Sequence, residues 1–187
     1  MRTVVEILIV LWVSSEILLG LFRRANPDRD RVSDRGSGRL LWLVIGGSVA
    51  VAVTLSDIPW GRVPIPPTLL ESLAVLFLLY GVGLRWWAIL TLGPWFTTNV
   101  ATHPEQRVIS SGPYKWVRHP AYAGMLIAFV GCGWYFASWL SLVVLISPIT
   151  GAILYRIRVE EEALIGGLGR EYEEYRQRTR ALLPGIF

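Results

Sequence analysis

Apolar residues in this chain are gathered into long blocks, not strewn in the short alternation of half-buried strands, and the blocks have the length of membrane spans. A helix crossing the hydrocarbon of a bilayer needs roughly 20 mostly apolar residues. The first block runs from Val4 to Phe22 and tolerates Glu6 and Glu16; the second runs from Leu40 to Leu55; the third, from Leu69 to Leu92, carries Arg85. From Ala121 to Tyr155 the chain stays apolar apart from Ala137-Ser138, too long for one crossing and suited to two joined by a tight turn. The pattern predicts an all-α integral membrane protein with about five transmembrane helices, at 4–22, 40–55, 69–92, 121–136 and 139–155, in a single domain over 1–187. The charged tail from Glu160 to Arg180 is expected to form a C-terminal helix, broken around Gly166, Gly167 and Gly169.

Charge sets the expected orientation. All but three of the 18 basic residues (Arg2, Arg62 and Arg85) fall in the loop after the first span, the segment after the third, or the tail, regions that five crossings place on one side. Basic loops stay cytoplasmic, so that face is predicted to be the cytoplasmic one. Composition agrees with a membrane setting: 53% of residues are hydrophobic and only 17% charged, against about 25% charged in soluble domains. The net charge of +4 is scattered among acids and spans, which excludes a nucleic-acid surface. A single cysteine, Cys132, leaves no intrachain disulfide or thiolate metal cluster. No cleavable signal peptide is expected, because the first apolar run is too long and no A-x-A site follows it. The proline-rich outer loop Asp57–Pro67 offers no chemistry. The preference for Arg over Lys points to a GC-rich bacterial genome and hence to the bacterial inner membrane.

Three features could carry chemistry. Arg107–Gly124 (RVISSGPYKWVRHPAYAG) has a turn at Gly112-Pro113 and a helix start at His119-Pro120. Proline is harmless in a helix's first turn, and backbone amides there favour an anion, with Tyr114, Arg118, His119 and Tyr122 as further donors. Such residues also populate ordinary interfacial loops. In Tyr155–Leu164 (YRIRVEEEAL), Arg156–Glu160 and Arg158–Glu162 are spaced as i,i+4 pairs of one helix, which also suits a solvated helix leaving the membrane. Arg85 lies within a span, where a charge faces a cavity or partner or snorkels to the interface. Glu6, Glu16 and Glu71 are given no role. No G-x-G-x-x-G follows a strand, no P-loop or H-E-x-x-H is present, and two histidines, His103 and His119, without a neighbouring cysteine make no zinc site.

The stretch SSGPYKWVRHPAYAG, a two-span hairpin, and then RIRVEEEALIGGLGREYEEYRQRTRALLP together resemble the isoprenylcysteine carboxyl methyltransferase family, over about Leu84 to Pro184. The resemblance implies a methyltransferase using S-adenosyl-L-methionine, held on the cytoplasmic side without a Rossmann domain, in a region of about 106–122 plus 156–162. Carried over by position, Gln106, Arg107, Val108 and Ile109 would contact the cofactor as an extended stretch, with Tyr114, His119, Pro120, Ala121, Tyr122 and Glu160. Arg85 and Arg156 would serve the acceptor, a lipophilic, isoprenoid-like carboxylate reaching the site from the lipid bilayer; no metal is implied. Pro94–Pro104 departs from the family's pattern. The alternatives are a methyltransferase for a lipid amine or small thiol, an NADPH-dependent reductase built on a similar C-terminal module, and a non-catalytic membrane protein.

Overall fold

A computed structural model of the chain describes residues 1–26 and 30–182. Arg29 and the Leu183–Pro184 end of the tail motif lie outside them. Six α-helices follow one another among the described residues: α1 (Arg2–Phe22), α2 (Ser37–Leu55), α3 (Pro67–Leu92), α4 (Pro120–Tyr135), α5 (Trp139–Leu168) and α6 (Arg170–Arg178). Helices α1, α2, α3 and α5 are long and apolar enough to cross a membrane. Helix α4 has 16 residues, about 24 Å at 1.5 Å per residue, and packs against α1, α3 and α5. The chain is thus an all-α, multi-pass integral membrane protein. Large apolar side chains such as Ile7, Val10, Leu43 and Leu90 stand exposed on its outer faces, where lipid rather than water is the solvent.

The core runs along the bundle axis through Val5, Trp12, Leu78, Ala128, Phe129, Leu145, Ile149 and Ile153. Its tightest seam is between α3 and α4, where small residues let two backbones meet, as is common between membrane helices. A Cβ added at Gly81 would sit 2.4 Å from the Ala128 amide nitrogen, and one at Gly124 would sit 2.6 Å from the Arg85 nitrogen and the Gly81 carbonyl. Gly124→Val should therefore destabilise the bundle by about 3 kcal/mol, the upper end of the range for overpacking. Gly46→Ala, whose Cβ would meet nothing within 4 Å, should be neutral; chemical unfolding in detergent compares the two.

At one end of the bundle the three basic segments come together. Strands β1 (Arg31–Val32) and β2 (Ala101–Thr102) pair antiparallel, Arg31 opposite Thr102 and Val32 opposite Ala101. The tail then folds back as the Arg118 and His119 amides donate to the Arg180 and Ala181 carbonyls at 2.7 and 3.0 Å. At the other end the Val63 amide meets the Ala137 carbonyl at 2.9 Å. There the α4–α5 connection is the expected tight turn, with Ala137 at φ 51° and the Ser138 hydroxyl capping α5 by accepting from the Ser141 amide.

The break expected around Gly166, Gly167 and Gly169 falls at the last of them, and helix α5 continues past Tyr155, the expected end of the fifth span. It runs unbroken for 30 residues to Leu168. Gly167 is helical and serves close approach: a Cβ there would lie 2.9 Å from the Thr102 side chain of β2. The break comes at Gly169, whose φ of 57° suits glycine. This extension carries Arg156 and Glu160–Glu162 past the apolar part of the helix and under the basic loops.

Candidate active site

Under the basic end lies a cavity of about 890 Å³. One wall is the extended segment Gln106–Ile109, another the start of α4, a third α5 from Arg156 to Leu168, and α6 adds Tyr172 and Tyr175. Gln106, Arg107, Val108, Ile109, Tyr114, His119, Ala121, Tyr122 and Glu160 all line it, as do Arg85 and Arg156. Pro120 is the exception among the expected residues: it is fully buried as the first residue of α4. The short helical turn Gly112–Lys115 seats Tyr114 against Ala88 of α3 and Ala121 of α4, with Ile109 packed on them.

Two carboxylates on α5 organise the wall around His119. Glu160 accepts from the Tyr122 hydroxyl at 2.9 Å and lies 3.9 Å from the His119 ring. Glu161 is the hub beside it. It lies 3.2 Å from His119 Nε2, accepts from Arg118 Nε at 2.7 Å, and pairs with Arg176 of α6 at 3.2 Å. Through Glu161 the tail helix is locked to the start of α4. Tyr175 adds a second lock by donating to the Tyr114 carbonyl at 2.7 Å.

The i,i+4 pairs expected along α5 are replaced by longer connections. Arg156 is buried and reaches across the fold: Nε donates to the Tyr122 hydroxyl at 2.7 Å, Nη1 to Asp34 at 2.9 Å and to Ser37 at 3.0 Å, and Nη2 to the Thr98 carbonyl at 2.6 Å. Glu162 takes Arg35 at 2.8 Å. A buried arginine needs its donors satisfied, and a half-buried carboxylate outbids a solvated neighbour on the same helix.

Arg85 does not snorkel. It is 6% exposed and bound edge-on to Glu16 of α1, through Nε to one carboxylate oxygen and through Nη2 to the other at 2.6 Å; Nη1 donates to the Ala121 carbonyl at 3.2 Å. Glu16, Asp34, Glu161 and the stretch Trp95–Ala101, none of them given a role from sequence, thus belong to the site or its frame. For Glu16 a signal existed: an unexplained acid deep in one span and an unexplained base, Arg85, deep in another.

Two phenols in the wall are held protonated. Burial, followed by the nearby carboxylates Glu161 and Glu160, pushes the Tyr172 phenol up; burial and Glu160 do the same to Tyr114. The Tyr172 hydroxyl is buried and has no hydrogen-bond partner among the described residues. A buried orphan donor at a cavity is a cost unless a ligand takes it.

Residues 73–166 match the Isoprenylcysteine carboxyl methyltransferase (ICMT) family. The chain is 31% identical over 147 residues to a protein-S-isoprenylcysteine O-methyltransferase of Rattus norvegicus, covering 73% of this chain and 48% of that protein. It is 35% identical over 114 residues to a probable protein-S-isoprenylcysteine O-methyltransferase of Oryza sativa subsp. indica, covering 60% of each. The chain spans about half the length of the animal relatives it matches. Among solved structures, a eukaryotic intramembrane Ras methyltransferase ICMT superposes with a TM-score of 0.55 at 23% identity, over 80% of this chain and 51% of that one, a likeness of fold. The matched segment opens within α3 and closes within α5, enclosing most of the walls just described, and the chain belongs to the isoprenylcysteine carboxyl methyltransferase family.

Proposed function

We propose that the chain is an S-adenosyl-L-methionine-dependent O-methyltransferase acting on the carboxylate of a prenylated cysteine or a similar isoprenoid acid, with the basic end of the bundle facing the cytoplasm. One observation carries the reading. Residues from three separate segments, Gln106–Ile109, His119–Tyr122 and Glu160, converge on one cavity that also reaches the buried Arg85 in the apolar bundle.

The residues fit the cofactor. The cavity is of ligand size, it presents the aromatic rings of Tyr114, Tyr172 and Tyr175 and the carboxylate of Glu160, and the Tyr172 hydroxyl supplies a donor without a partner among the described residues. We assign Gln106, Arg107, Val108, Ile109, Tyr114, His119, Ala121, Tyr122 and Glu160 to its binding, add Tyr172, and give Pro120 the task of starting α4. When bound, the cofactor would supply an electrophilic methyl on a sulfonium, transferable to an acceptor carboxylate oxygen with the carbon–sulfur electron pair left on sulfur.

A carboxylate is already ionised at neutral pH, so no general base is required. The protein's work is alignment and exclusion of water. Arg85, fixed by α3 at the apolar side of the cavity, orients the acceptor. Arg156 lines the same cavity, but its donors hold Asp34, Ser37, Thr98 and Tyr122, so we read it as the post that joins the loops to α4 and α5 and shapes the acceptor's entry. An amine or thiol acceptor would need a base, and we assign His119, the imidazole in the cavity wall, to the cofactor.

The test is methyl transfer from labelled S-adenosyl-L-methionine by the purified protein in nanodiscs. Offered an S-farnesylated cysteine with a blocked amine, it should yield a label released as methanol by mild base, the signature of an ester. Label that resists base, or that enters only amines or thiols, overturns the carboxylate assignment.

A further inference from the structure

Glu16 is a charged group in the cavity wall that the mechanism above leaves unused. Helix α1 buries a stripe, Val5, Trp12, Glu16 and Leu19, packs Leu8 and Ile9 beside it, and turns side chains such as Ile7, Val10, Leu11 and Ile17 outward. Glu16 is 6% exposed, and an acid at that depth in a span is costly unless paired. It is paired on both oxygens. Arg85 approaches through Nε and Nη2, and the Trp12 indole donates to the first oxygen at 3.0 Å. Glu16, Arg85 and Ala121 all line the cavity, so this pair is not sealed in packing; it forms part of the wall.

We propose that Glu16 is a positioning residue for methyl transfer: it fixes the plane of the Arg85 guanidinium and shares its positive charge, so that an acceptor carboxylate is oriented and yet keeps its nucleophilicity. The inference rests on the reading of Arg85 as the acceptor's orienting group. Guanidinium donors form a rigid fork. Glu16 occupies the edge formed by Nε and Nη2, and the Ala121 carbonyl holds Nη1 at 3.2 Å, which leaves the end formed by Nη1 and Nη2 turned away from Glu16. A second carboxylate can accept there end-on, while Glu16 on the opposite side prevents the guanidinium from rotating.

The charge consequence is equally direct. An unpaired arginine in a dry site would form a full ion pair with the acceptor and draw electron density from the oxygen that must attack. With Glu16 in place, the acceptor meets a cation already half neutralised and a nearby like charge. It binds less tightly and remains more basic, and methyl transfer gains what binding gives up. The Trp12 indole tunes the balance, because its hydrogen bond withdraws density from Glu16 and leaves more of the Arg85 charge to the acceptor.

Glu16→Gln keeps a hydrogen-bonding side chain beside Arg85 and removes the charge. In full-length protein reconstituted in nanodiscs, an S-farnesylcysteine carboxylate should bind this variant roughly tenfold tighter than wild type, the scale of one neighbouring charge. Its methyl ester, which carries no charge, should bind as before, and kcat at saturating acceptor should fall severalfold. A merely structural Glu16 would move acid and ester together, and that result overturns the proposal. Trp12→Phe keeps both charges and serves where Glu16→Gln does not fold; it should shift the acid-to-ester preference the other way, and an unchanged preference again overturns it. Wild-type protein that transfers no methyl to any carboxylate would instead sink the reading of the function on which this inference stands.

Discussion

Arg156→Ala should cost the folded protein about 3–5 kcal/mol, the penalty of breaking a buried ion pair from one side, and take cofactor binding with it. The substitution removes at once the Arg156 bonds to Asp34, to the Ser37 and Tyr122 hydroxyls and to the Thr98 carbonyl. These belong to the α1–α2 connection, α2, α4 and the loop after α3, so their release opens the cavity from several walls. Lysine should rescue little, because one ammonium cannot reach acceptors spread around a plane. Unfolding in detergent gives the stability change, and a double-mutant cycle with Asp34→Asn isolates the pair. Asp34 adds a pH signature. Burial raises its pKa, but the amides of Val100 and Gly38 and the charge of Arg156 outweigh that and hold the carboxyl below its ordinary value. Such a group contributes stability above its unfolded pKa of about 3.9 and loses it as pH falls through the lower folded value. The wild type should therefore weaken in acid by a component that Asp34→Asn lacks.

How much of this was legible in the sequence follows from the range of each interaction. Blocks of apolar residues are local, and a helix overlies each of them because the bilayer dictates length and the backbone must satisfy itself, although α5 runs on to Leu168, beyond its block. The cavity's Gln106–Tyr122 wall and Glu160 came from a motif, through resemblance. What stayed hidden are the long connections. Arg156 and Asp34 are 122 positions apart, and nothing local marks either; the i,i+4 spacing to Glu160 suggested a bond worth only about 0.3–0.5 kcal/mol on a solvated helix, which a buried partner overrides. Glu16 was closer to legible. It lies six residues before the end of α1, and Arg85 seven before the end of α3. Both helices end at the basic face, so the two charges stand at one depth, and opposite charges in neighbouring spans pair. Glu161 was missed beside Glu160 because adjacent positions on a helix face different neighbours: Glu160 faces the cavity, and Glu161 faces the tail.

Arg85→Lys should lower turnover by about 10²-fold, the scale of a misplaced reactant, with stability and cofactor affinity near wild type. The ammonium still compensates Glu16 but cannot hold a carboxylate's angle while engaged on its other side. Arg85→Ala is the poorer probe, because it leaves Glu16 charged, buried and unpaired, and the loss of fold would mask the loss of chemistry. The informative partner is the double substitution Arg85→Met with Glu16→Leu. Replacing a buried ion pair by apolar groups of similar volume is often neutral or stabilising, so this protein should fold, seat α1 on α3 and α4, and bind cofactor. If the pair is only a clasp between helices, the double variant will methylate like the wild type. If Arg85 orients the acceptor, the variant will be well folded, will bind cofactor, and will transfer almost no methyl at any acceptor concentration. Thermal stability, cofactor affinity and turnover on one nanodisc preparation decide between them, and recovered turnover in the double variant removes both charges from the mechanism.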